Sequence, residues 1–150
     1  MVRDTEPELG LFEDALGLRI QGSSENHGIE QERLNNVFGA RLLITSLGAA
    51  AGPAVEFLDY LAPATGRPTP LDTQANDLWY WHVTMMTADI AALETRLRAA
   101  GARFVSPGIV EMPEDALGLG RALLALSPTG HAILAFQPQQ GARLSRAAGR

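Results

Sequence analysis

The sequence predicts an α+β fold made of two repeated modules. Three observations point there. The two halves match element by element, and each runs helix, short strand, long loop and hairpin. The apolar positions switch between helical and strand spacing along the chain. Apolar residues make up 46% of 150 residues, enough for one real core and too few residues for two large domains.

The first element is a helix. Thr5 and Glu8 form a T-x-x-E capping box, with Pro7 in the first turn. Leu9, Phe12 and Leu16 then give one apolar face, and Gly17 is a stop. LRIQG (18–22) reads as a short strand, and the polar stretch 23–36 reads as a long loop. VFGARLLITSL (37–47) and AVEFLDYL (54–61) form a hairpin about the turn at 48–53. Residues 62–77 hold three prolines and read as a linker.

LWYWHVTMM (78–86) reads as a strand that is apolar on both faces. A helix follows over Ile90, Leu93, Leu97 and Ala100, capped by Thr87 or Asp89 and closed by Gly101. ARFVS (102–106) is a strand and 107–118 a loop. LGRALLALS (119–127) and HAILAFQP (131–138) make a second hairpin. The segments are therefore a first module at 1–61, a linker at 62–77, a second module at 78–138 and a flexible tail at 139–150. Together they form one structural domain.

The repeat pairs Leu9, Phe12 and Leu16 with Ile90, Leu93 and Leu97. It pairs Gly17-Leu18-Arg19-Ile20 with Gly101-Ala102-Arg103-Phe104, and Gly52 with Gly130. That register sets Glu56 against Leu134. The second half begins with a strand that the first half lacks. His82 lies eight residues before Ile90, and eight before Leu9 is Met1. The first strand of the first module is missing or truncated.

Composition excludes several classes of function. Lys+Arg 12 against Asp+Glu 17 gives a net charge of −5, a poor match for a nucleic-acid backbone. With no cysteine, disulfides, thiolate metal sites and cysteine nucleophiles are ruled out. No apolar run approaches the roughly 20 residues of a membrane helix. The acidic start MVRDTEPELG has no signal core, which implies a cytoplasmic location. No GxGxxG, Walker loop, H-E-x-x-H or G-x-S-x-G motif occurs.

Four stretches resemble the vicinal oxygen chelate superfamily, which includes glyoxalase I, bleomycin-resistance proteins and extradiol dioxygenases. They are D-x-x-x-x-L-x-x-F-x-x-x-L-G-L from Asp4 to Leu18, GPAVEFLDYLAP at 52–63, RLRAAGARFVSPG at 96–108 and SPTGHAILAFQP at 127–138. SENHGIEQERLNNVFG (24–39) looks like the signature of one subgroup. The resemblance implies two βαβββ modules, with a curled mixed sheet around a cavity and helices outside.

It also implies a ligand set. Metal-using members draw four ligands from the first and last strands of each module, suited to zinc, nickel, iron or manganese. Here Glu56 and His82 match two of those positions, Leu134 stands at the third, and the fourth lies in the absent strand. By strand alternation Leu58 would join Glu56, Tyr80 and Thr84 would join His82, and Phe136 would join Leu134 in lining the cavity. Val55, Phe57, Trp79, Trp81, Val83 and Ile133 would pack under the helices.

Each of these residues has two readings at this point. Glu56 is a metal ligand, general base or ligand contact, or else a rim carboxylate paired with an arginine such as Arg41. His82 is a ligand or a hydrogen-bonded core histidine. His131 and His27 read as solvated. The polar loop at 23–36 is a lid or a mobile surface loop.

The leading expectation is a protein that binds a small, partly apolar organic molecule without a complete metal site and without a cofactor. The alternative is a metal-dependent lyase, isomerase or dioxygenase using Glu56 and His82 with a divalent metal. The resemblance implies that the missing strand would lie beside strand 54–61, so its loss bares that edge and predicts a homodimer, with strand exchange or an altered module pairing as ways to cover it.

Overall fold

An aspartate starts each of the two repeated helices. The computed structural model describes residues 1–113, 116 and 118–139. Asp4 precedes α1 (Thr5–Leu9) and its side chain accepts from the Glu6 amide. Asp89 precedes α3 (Ile90–Ala99) and accepts from the amides of Ala91 and Ala92. The expected capping box is thus replaced by Asp4, and Glu8 turns into the protein instead.

α1 continues as a π-helical stretch, Gly10–Ala15. It ends before Gly17 (φ 77°), as α3 ends before Gly101 (φ 75°), both in the left-handed region where glycine is free to go. Asp4 to Gly17 holds one residue more than Asp89 to Gly101, and a π turn is how a helix absorbs one extra residue. The helices therefore align Thr5 with Ile90 and Glu8 with Leu93, which corrects the expected pairing of Leu9 with Ile90.

The first module carries β1 (Arg19–His27), β2 (Arg41–Gly48) and β3 (Val55–Ala62) in one antiparallel sheet of that order. The second carries β4 (His82–Met86), β5 (Arg103–Phe104), β6 (Val110–Glu111), β7 (Leu119–Leu126) and β8 (Ala132–Pro138). Their order is β4-β8-β7-β5, with β6 also on β7. β4 runs parallel to β8 and β7 antiparallel to it, so this sheet is mixed.

Where the first strand was expected to be missing, a single bridge stands. Val2 pairs parallel with Asp59, and its amide donates to the Leu58 carbonyl at 3.0 Å. Thr87 donates to the Phe136 carbonyl at 2.8 Å in the same way. Leu58 and Phe136 each lie six residues beyond Gly52 and Gly130, so the glycine register holds in three dimensions. In this frame the counterpart of His82 would precede Met1.

Four elements differ from expectation, one of them β6, which pairs with β7 from within the predicted loop at 107–118. β1 is longer than the predicted strand, and α2 (Ile29–Asn35) occupies the predicted loop. α2 needs no apolar stripe of its own: acidic Glu30 and Glu32 sit in its first turn, Arg33 in its last. β4 starts only at His82, because the Tyr80 amide turns back to the Asp77 carbonyl. The tail at 140–150 lies outside the described residues, and no described helix is long and apolar enough to cross a membrane.

Both modules share one core. Leu11, Phe12 and Ala15 join Ile90, Leu93 and Leu97, with Leu47 and Phe57 from one sheet and Leu123, Ile133 and Ala135 from the other. Phe12 meets Phe57 edge to face with ring centroids 4.9 Å apart. Arg96 Nε donates to the Ala15 carbonyl at 2.9 Å and ties the helices together. The α+β class and the covering of one face of each sheet by a helix are as read from the sequence. The helices sit at the seam between modules, so the uncovered sheet faces turn away from the common core. Among the described residues the two sheets do not join into a closed barrel.

Candidate functional site

Alternation along β3 sorts its side chains. Phe57 packs on Phe12, and Asp59 Oδ2 accepts from the Thr5 amide and hydroxyl, so these face the helices. Glu56, Leu58 and Tyr60 face the other way. Across the ladder Ser46, Ile44 and Leu42 stand opposite them. On the second sheet Ile133 and Ala135 belong to the core, so Leu134 and Phe136 face outward. Thr84 pairs with Leu134, His82 with Ala132, and Met86 with Phe136. Leu124 lies on the other side of Leu134.

The predicted site residues thus fall into two groups. Glu56 and Leu58 lie on the uncovered face of the first sheet; His82, Thr84, Leu134 and Phe136 lie on that of the second. Glu56, His82 and Thr84 are exposed, and Leu58, Leu134 and Phe136 are half-buried. Tyr80 sits in the turn before β4, its ring 5.9 Å from His82. Two hollows of about 380 and 370 Å³ lie elsewhere, between the helices near Leu11 and Arg96 and beside Leu9, Leu43 and Asp59.

Several side chains sit differently from expectation. Trp79 and Trp81, expected under the helices, are 57% and 47% exposed, since the turn at Asp77 carries them out of the strand. Arg41 pairs with Glu25 across the sheet at 2.6 Å, not with Glu56, and its side chain holds the Glu25 carboxyl below the usual range. His131 is half-buried, its ring tilted 36° against Trp81 with centroids 4.9 Å apart and bonded to the Met1 carbonyl. Burial pushes its pKa down. His27 is exposed, as expected.

Glu56 and His82 stand on different sheets, and Leu134 has no donor atom for the third position. Among the described residues no three His, Asp or Glu side chains come together to hold a metal.

The composition gave no sign of the polar chain under α2. Gln31 is buried, its Nε2 donates to Asn35 Oδ1, and Asn35 Nδ2 donates to the Tyr60 hydroxyl at 2.6 Å. The i, i+4 spacing of Gln31 and Asn35 was the one available signal. Leu42, opposite Tyr60, is wholly buried, while Tyr60 itself stays half-buried at the margin of the face.

No family model and no curated protein matches the sequence. Solved structures do match. A glyoxalase family protein from Bacillus cereus superposes with a TM-score of 0.74 at 23% identity, covering 91% of this chain and 88% of that one. The chain has the glyoxalase-type fold. A glyoxalase/bleomycin resistance protein/dioxygenase domain from Frankia sp. superposes at 0.64 and 18% identity, over 94% of this chain and 88% of that one. An antibiotic-binding protein from Streptomyces sp. superposes at 0.52 and 18% identity, over 92% and 89%. At these identities the likeness is one of fold. Within the glyoxalase-type fold, this chain keeps both modules and shows the first strand of one as the Val2 bridge.

Proposed function

We propose that this chain binds a small, partly apolar organic molecule on the uncovered faces of its sheets, using no complete metal site of its own. One observation carries the reading. Leu134, flanked by Thr84 and Leu124, puts an apolar side chain at the outward position where a metal-using relative would carry a ligand. Apolar walls with a few polar groups are the usual lining of small-molecule sites. The antibiotic-binding neighbour from Streptomyces supports the same class of ligand. A charge of −5 favours a neutral or cationic molecule, and the location proposed is the cytoplasm.

Thermal-shift screening tests this. An organic ligand at about 100 times its Kd should raise stability by roughly 2.7 kcal/mol, with no loss on adding a chelator. Stabilisation by divalent metals alone sinks the proposal and favours the metal-dependent lyase, isomerase or dioxygenase built on Glu56 and His82.

The same faces argue for a homodimer. Beyond the Val2 bridge the outer edge of β3 has no strand beside it among the described residues, and neither has the outer edge of β4. Bare edges recruit other strands. A second copy would complete the enclosure that one chain leaves open. Light scattering at micromolar concentration should give twice the 16.0 kDa chain mass; a monomer ends this part of the proposal.

A further inference from the structure

We infer that Tyr60 selects the ligand by donating a hydrogen bond to a neutral acceptor, with Asn35 setting the direction of its proton. The inference rests on binding at the uncovered face proposed above. A phenol has one proton to give and lone pairs to receive. Asn35 Nδ2 fills the receiving side at 2.6 Å, and Gln31 holds Asn35 by its other end. The phenol proton must point elsewhere, and the hydrogen bonds of the described residues give it no acceptor. The ring is half-buried beside wholly buried Leu42. A donor in such a place is poorly served by water, and a ligand oxygen that reached it would be favoured over an analogue lacking one.

The rest of the face narrows the class. Leu58 and Ile44 provide an apolar floor next to Tyr60. Glu56, four residues back along the strand, lies about 13 Å away on the same face. A carboxylate there repels an anion and attracts an amine. The ligand is an apolar body with a carbonyl or ether oxygen at one end and a basic amine at the other.

Two probes test this on the full chain by calorimetry: fluorenone carrying an aminoalkyl arm, and fluorene carrying the same arm. The native protein should bind the fluorenone about tenfold tighter. Tyr60→Phe should bring the two probes to equal affinity. Asn35→Asp should do the same while leaving the phenol in place. Its carboxylate accepts from Gln31 and also accepts a hydrogen bond from the Tyr60 hydroxyl, so the phenol no longer faces the ligand with a free donor. Were Tyr60 only a packing residue, the ratio would survive both changes. Glu56→Gln should weaken both probes alike and leave the ratio intact. Equal affinity of the native chain for the two probes overturns the role of Tyr60 but not binding at the face. Binding of neither probe overturns both.

Discussion

Replacing Glu8 by Ala is expected to cost about 3 kcal/mol of stability and to lower the melting temperature by roughly 10 °C. Glu8 is wholly buried at the seam. Its Oε1 accepts from the Ser127 hydroxyl at 2.9 Å, the Thr129 amide at 2.8 Å and the Thr129 hydroxyl. Alanine would leave the buried Ser127 hydroxyl and the half-buried Thr129 amide and hydroxyl without this acceptor. Oε2 has no partner among the described residues, so part of the gain is already offset. Glu8→Gln keeps the shape and one acceptor and should cost less than half as much. Thermal melts of the three proteins decide it. An alanine variant melting within about 2 °C of the native chain would show that the carboxylate does not hold the modules together.

Phe12→Ala should be the other large loss, about 3–5 kcal/mol. Phe12 is 2% exposed and meets both the edge-stacked Phe57 and the shared core. Removing its ring opens a cavity that two packed modules have little freedom to close. Phe12→Leu should retain most of the stability. Urea unfolding gives the comparison, and an alanine variant losing less than about 1 kcal/mol would mean the modules are not joined through this residue.

The sequence carried much of the fold because several signals were local. Asp89 capped its helix, Gly17 and Gly101 stopped theirs, and Gly52 and Gly130 fixed the register of both hairpins. What it hid was set by distance or by counting. α2 was invisible because Ile29 and Leu34 face solvent while polar Gln31 and Asn35 face inward, the reverse of an amphipathic pattern. The π turn shifted the helix alignment by residues whose types carry no sign of it. Trp79 and Trp81 read as core from their chemistry, but one turn at Asp77 moved them out. At the site, the outward parity of Glu56, His82, Thr84 and Leu134 followed from strand period alone. That the two sheets stay separate depends on where the helices meet, which no strand pattern reports.

The pairing of Glu8 with Leu93 across the repeat has an engineering consequence. The halves of the chain look like copies, yet they are not interchangeable parts. The second module offers the Ser127–Thr129 turn as a socket, and only the first module brings the acid that fits it. A chimera of two second modules would present leucine to that socket and strand its donors. The difference between the halves is written into one side chain, and any descendant built from two copies of one half must supply it anew.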